Sequence, residues 1–181
     1  MISAASFRVV NRASTDRIYE SWGEILVTVL PFVQWNDEEL NKALALVDMH
    51  AAREYEVSRK LAARVLGALC SCLDADAVES LILERSLRLC EDENVEVRGM
   101  ATESLQHVGA ALTIESVEKS LWPKVLELLD DQDVRIHAAT LRSIAHIVEE
   151  HREQSGNERF YYEQLPPPGN LRGDLRPAAA L

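Results

Sequence analysis

A spacing of 39 residues organises this chain. The segments SRKLAARVLGAL around Arg59, VRGMATESLQHV around Arg98 and IHAATLRSIAHI around His137 fall into register at that step. It carries Leu66 onto Leu105 and Ile144, Leu69 onto Val108 and Ile147, and Ala62 onto Ala101 and Thr140. One further step back lands on Glu20, Gly23, Val27 and Leu30. A column that keeps its character while its identity drifts marks a structural unit of about 40 residues, stacked on its neighbours.

Within a copy the apolar residues recur at helical steps. Val97, Ala101, Leu105 and Val108 share one face of an amphipathic helix. A second apolar helix precedes it: Leu81, Ile82, Leu87 and Leu89 map onto Ser120, Leu121, Leu126 and Leu128. The acidic turns EDEN (91–94) and DDQD (130–133) separate the two, and their short polar side chains suit the open N–H groups and dipole of the next helix. Pro123 is expected in the first turns of its helix, where a missing N–H costs little. The pattern predicts helices at 15–32, 37–50, 54–72, 76–90, 94–111, 114–129 and 133–151. The fold class is therefore all-α, an α-solenoid of about three and a half helix pairs over 15–151, with a flexible N-terminus at 1–14 and a flexible tail at 152–181. That tail carries three consecutive prolines, Pro166–Pro167–Pro168, and reads as a linker with a polyproline stretch; Phe160, Tyr161 and Tyr162 could fold back over the last helix pair.

Composition narrows function more than it defines it. Lys and Arg number 19 against 30 Asp and Glu, a net charge of -11, and such a surface repels phosphate backbones, so nucleic acid is not the expected partner. No apolar run reaches the length of a membrane span, so no membrane partner is expected either. Cys70, Cys72 and Cys90 are too few and too irregular for a disulfide framework and read as reduced, buried thiols of a cytoplasmic or nuclear protein. The acid-free, Arg-containing start MISAASFRVVNRAS raises mitochondrial targeting as the alternative.

No catalytic constellation emerges. His50, His107, His137, His146 and His151 form no HExxH or His-x3-His pair, Cys70-x-Cys72 points its thiols apart on a helix, and no nucleophile sits on a recognisable elbow. Neither catalytic nor metal-ligating residues are assigned, and no cofactor or small-molecule substrate is expected. Arg172–Gly173–Asp174 and the proline run are short matches in a polar tail. Trp22 and Trp122 are expected in the core, whereas Trp35, in the QWND turn, is a candidate exposed anchor.

Stacked helix pairs align their short turns along one ridge. Here the ridge collects Glu54, Glu56, Glu91, Asp92, Glu93, Asn94, Asp130, Asp131, Gln132 and Asp133, with Asp37 at an earlier turn. As a row these acids would recognise a basic patch on a protein partner and speed its approach. The candidate partner-binding residues are Trp35, Asp92, Glu93, Asn94, Asp131, Gln132 and Asp133. The repeat positions that hold the stack are Ala62, Leu66, Leu69, Arg98, Ala101, Leu105, Val108, Ile144 and Ile147.

Asp92, Val97, Arg98, Ala101 and Leu105 resemble the pattern of HEAT repeats. That resemblance implies a ladder in which the turn Asp and the helix-opening Arg bond between adjacent repeats; Arg98 fits it, Arg59 fits without a clear turn Asp, and His137 replaces the Arg, so a degraded ladder is expected. More specifically, Ser58–Arg59-x-Leu61, Leu66–Gly67, Asp74–Ala75, Leu87-x-Leu89–Cys90 and Glu96–Val97–Arg98 resemble the HEAT region of the regulatory subunit 4 family of protein phosphatase 4 over roughly 15–150. The scaffold subunits of protein phosphatase 2A are the nearest competing resemblance. Either implies a non-catalytic scaffold that binds a serine/threonine phosphatase catalytic subunit, the metals belonging to that other subunit. A HEAT adaptor unrelated to phosphatases, of the transport or cytoskeletal kind, is the alternative; tubulin binders favour basic turns, which the acidic turns here oppose.

Overall fold

The computed structural model describes residues 4–155, with side chains over 16–152. The tail features, from Phe160 to the Arg172–Gly173–Asp174 tripeptide, lie outside the described residues. Within them the chain is all-helical and contains no strand. Seven helices follow one another: α1 Ala4–Val29, closed by a 3-10 turn at Leu30–Phe32; α2 Asp37–Ala51; α3 Glu56–Leu69, with a 3-10 turn at Cys70–Cys72; α4 over 75–89; α5 Val95–Ala111; α6 over 114–129; and α7 Val134–Ser155.

Two helix ends differ from the sequence reading by more than a 3-10 turn or two residues. Helix α1 opens inside the stretch expected to be flexible, because 4–14 contains neither proline nor glycine to interrupt it. Helix α7 runs four residues past 151 to Ser155, ahead of Gly156, since Arg152, Glu153 and Gln154 are good helix formers.

The repeat positions form the interior. Leu66, Leu69, Leu105, Val108 and Ile147 are wholly enclosed, and Ala62, Ala101 and Ile144 are buried with them. Each complete pair packs first helix on second (α2 on α3, α4 on α5, α6 on α7), and the second helices pack in series, α1 on α3, α3 on α5, α5 on α7. Glycines set the close approaches in that series. A Cβ on Gly109 would stand 2.5 Å from Ile147 Cδ1, and one on Gly67 would stand 3.2 Å from Ser104 Cβ.

The first helices hold a feature absent from the sequence reading. Helix α4 is α-helical at Ala75–Ala77, π-helical at Val78–Leu83 and α-helical again at Glu84–Leu89; α6 repeats this as Ile114–Ser116, Val117–Leu121 and Trp122–Leu129. The two π segments begin one repeat step apart, at Val78 and Val117. A π turn inserts one residue, and the packing shows it. Uninterrupted α2 buries Leu40 and Leu44, four apart, where α4 buries Val78 and Leu83 and α6 buries Val117 and Trp122, five apart. Leu44, Leu83 and Trp122 stay in the 39-residue register, while the N-cap slips from Asp74 and Thr113 to Asn36, one residue later than the register gives. Pro123 thus lies nine residues beyond the start of α6 but in the first turn of the α-helical stretch Trp122–Leu129 that follows the π segment. Its ring would press on the carbonyl of Lys119 in a continuous α-helix, and the π turn widens the chain at that point. Glu84 holds the matching place in α4, so the π segment does not require the proline.

Candidate protein-docking surface

The turn ridge is built from a reciprocal side-chain scheme. Arg59 Nε and Nη2 donate to Asp92 Oδ2 and Oδ1 at 2.6 and 2.8 Å, while its Nη1 donates to the carbonyls of Arg53 and Glu54. One repeat on, Arg98 Nε and Nη2 donate to Asp131 Oδ2 and Oδ1 at 3.0 and 3.2 Å, and its Nη1 donates to the carbonyls of Asp92 and Glu93. Each arginine therefore closes its own turn and grips the next. Both aspartates also accept a local backbone N–H, from Asn94 and Asp133 respectively. Forked, charge-assisted bonds of this kind are the strong ones. The Arg98 bonds, with the Asp133 N–H, hold the Asp131 carboxyl below the usual carboxylate range.

The ladder thus holds at the α3–α5 and α5–α7 joints, a correction at Arg59 to the degraded ladder expected from the sequence. The turn Asp of Arg59 is Asp92, supplied by the following repeat. His137 ends the series and its Nδ1 lies 2.8 Å from the carbonyl of Leu129.

The same geometry engages several of the candidate partner residues in bonds within the chain. Asp92 and Asp131 expose only 9% and 13% of their side chains and are spent on the ladder. Asn94 caps α5, accepting from the N–H groups of Glu96 and Val97, and donates Nδ2 to Glu56 Oε2 at 2.6 Å. Asp133 caps α7 and pairs with Arg135, whose guanidinium holds its carboxyl down at about 2. Trp35 is half-buried against the core, with its Nε1 enclosed and no acceptor among the described residues, so it is not an exposed anchor. Glu93 and Gln132 do face solvent, with Glu91 and Asp130 beside them. The tryptophan expectations divide: Trp122 is core, but Trp22 is 55% exposed.

A second surface escaped the sequence reading. Where the second helices lie side by side they leave two clefts that share Met100 and Glu103. One, of about 320 Å³, is lined by Val27, Pro31, Arg64 and His107 as well; the other, of about 380 Å³, by Lys60, Gly99, Arg135 and Arg142. Charge alternates along it at 39-residue steps from Arg64 to Glu103 to Arg142, and Arg142 Nη2 donates to Glu103 Oε1 at 3.1 Å. His107 and His146, also one step apart, meet edge-to-face with ring centres 6.1 Å apart. The signal in the sequence was a polar column running one turn beside the apolar one.

Cys70 and Cys90 are buried and their thiols are pushed up to about 12 by loss of water; all three cysteines are free. Among the described residues no three His, Cys, Asp or Glu side chains gather as metal ligands, and no helix is long and apolar enough to cross a membrane. No protein-family model matches the sequence, and no curated protein matches it either.

Proposed function

We propose that this chain is a HEAT-type α-solenoid that serves as a non-catalytic regulatory or scaffolding subunit, docking a serine/threonine phosphatase catalytic subunit along the clefts of its second helices. The observation that carries the docking surface is the division of labour between two faces. The turn acids Asp92 and Asp131 are held by the ladder, whereas the clefts combine apolar Met100 with the outward charges of Arg64, Glu103 and Arg142. Apolar surface ringed by unlike charges suits a protein partner. Support for a phosphatase as that partner is the resemblance alone.

A second reading, an adaptor unrelated to phosphatases, draws on where the resembling residues sit. Ser58 is buried against His50, with its Oγ 2.8 Å from Nδ1; Arg59 and Arg98 are ladder rungs; Leu61, Leu66, Leu89, Cys90 and Val97 are core; Asp74 caps α4. These are demands of helix stacking that any partner choice would share.

Capture with the full chain followed by mass spectrometry separates the readings. Recovery of a phosphatase catalytic subunit, lost on Arg64→Glu with Arg142→Glu but kept on Glu93→Lys with Asp130→Lys, is the expected result. Recovery of other proteins in its place favours the adaptor, and loss only with the turn variant returns the site to the acidic ridge.

A further inference from the structure

Helix α1 stands apart from the other second helices. α3, α5 and α7 each have the first helix of their own pair against them, but α1 packs chiefly on α3 and has no first helix before it among the described elements. It shows four large apolar side chains: Ile18, Trp22, Ile25 and Val29 are 50–56% exposed. No other described helix exposes more than two. Their steps of four, three and four place them on one narrow seam, the a and d positions of a heptad, and such a seam is shaped for another helix.

What fits it is argued from its own symmetry. In an antiparallel two-fold pairing Trp22 meets Ile25 of the second copy and Ile18 meets its Val29, so both layers close with the same four residues. The e and g positions that flank the seam hold Tyr19, Ser21, Leu26 and Thr28, none of them charged, while Glu20 and Glu24 point away from the second copy. On a chain of net charge -11 a face where two copies meet without opposed acids is a specific feature. We propose that the seam of α1 is a homodimer interface, pairing antiparallel with the same seam of a second copy as an isologous contact.

A single helix pair lies at the small end of specific interfaces, so the dimer is expected to dissociate on dilution. The test is sedimentation of the full chain, 20.3 kDa, over a concentration series. The expected result is a reversible shift from one to two chains that Trp22→Glu abolishes, with an unchanged helical circular dichroism signal because the residue is solvent-exposed. Leu141→Glu, on the outer side of α7 where Leu141 is 45% exposed, is expected to leave the dimer intact. A monomer at every concentration overturns the proposal. So does a mass that grows past two chains or a dimer lost equally to Leu141→Glu, either of which signals head-to-tail stacking. A dimer indifferent to Trp22→Glu overturns it as well. None of these outcomes depends on which partner the clefts bind.

Discussion

The joint between α1 and α3 and the joint between α5 and α7 are made from equivalent helices yet are held differently. At the α5–α7 joint Arg98 locks onto Asp131, a glycine admits Ile147 at closest packing, and Arg135 and Arg142 add outer pairs to Glu96 and Glu103. At the N-terminal joint the ladder positions hold Glu20 where the arginine belongs and Arg53 where the aspartate belongs. That reversed pair forms no bond; Arg53 Nη1 reaches Tyr19 Oη at 3.5 Å instead. Here Gly23 faces Leu61 and the end of Arg64, a flexible neighbour. Shared periodicity therefore does not mean equal cohesion: a repeat can preserve its apolar column while losing the polar clamp that fixes one unit to the next.

The largest effect is expected where both joints depend on the same column. Leu105→Asp puts an unpaired charge in a fully enclosed site and is expected to cost more than about 4 kcal/mol, enough to abolish the cooperative melt. Next comes the ladder. Arg98→Ala strands a largely covered carboxylate and two turn carbonyls, an expected loss of about 3 kcal/mol by chemical denaturation. Glu20→Ala, in the matching column, is expected to stay within about 0.5 kcal/mol. Equal losses for the two would erase the distinction between the joints.

Glycine substitutions sharpen it further. Gly109→Ala drives a methyl into Ile147 and Leu121 and is expected to cost about 1–3 kcal/mol. Gly23→Ala meets an arginine end that can swing aside, and the better helix former is expected to be neutral or to add up to about 1 kcal/mol. The smallest effect is in pH. Burial, then the charge of Arg53, holds His50 below its ordinary value, so the unfolded chain takes the proton first and stability drops as pH falls through about 6.5. Asp131 and Asp48, held low by Arg98 and Arg85, keep their contribution until the pH falls below about 4. A melting temperature followed from pH 8 to 3 is expected to show both steps, the upper one reduced in His50→Gln and its remainder carried by His107, which burial and then His146 also hold below the ordinary value.

Much of the core was legible in the sequence because burial imposes a period. Leu66, Leu105 and Ile144 had to recur at one step to lie on one interior line, and they do. The candidate site was far less legible. Asp92 and Asp131 read as solvent-facing acids because a sequence shows their charge and not the arginine 33 residues earlier that neutralises it. Trp22 read as core because its helical spacing is apolar, and a period cannot say whether anything lies against it.

Taken alone, the sequence determined the helices, their 39-residue pairing and the identity of the enclosed column, since each follows from local propensity and from the side chains' aversion to water. Tertiary structure alone decided which acids clamp and which face solvent, where the π turns absorb an extra residue, and that α1 keeps a bare seam. Those outcomes depend on which atoms meet across units, and distance in space is not written in distance along the chain.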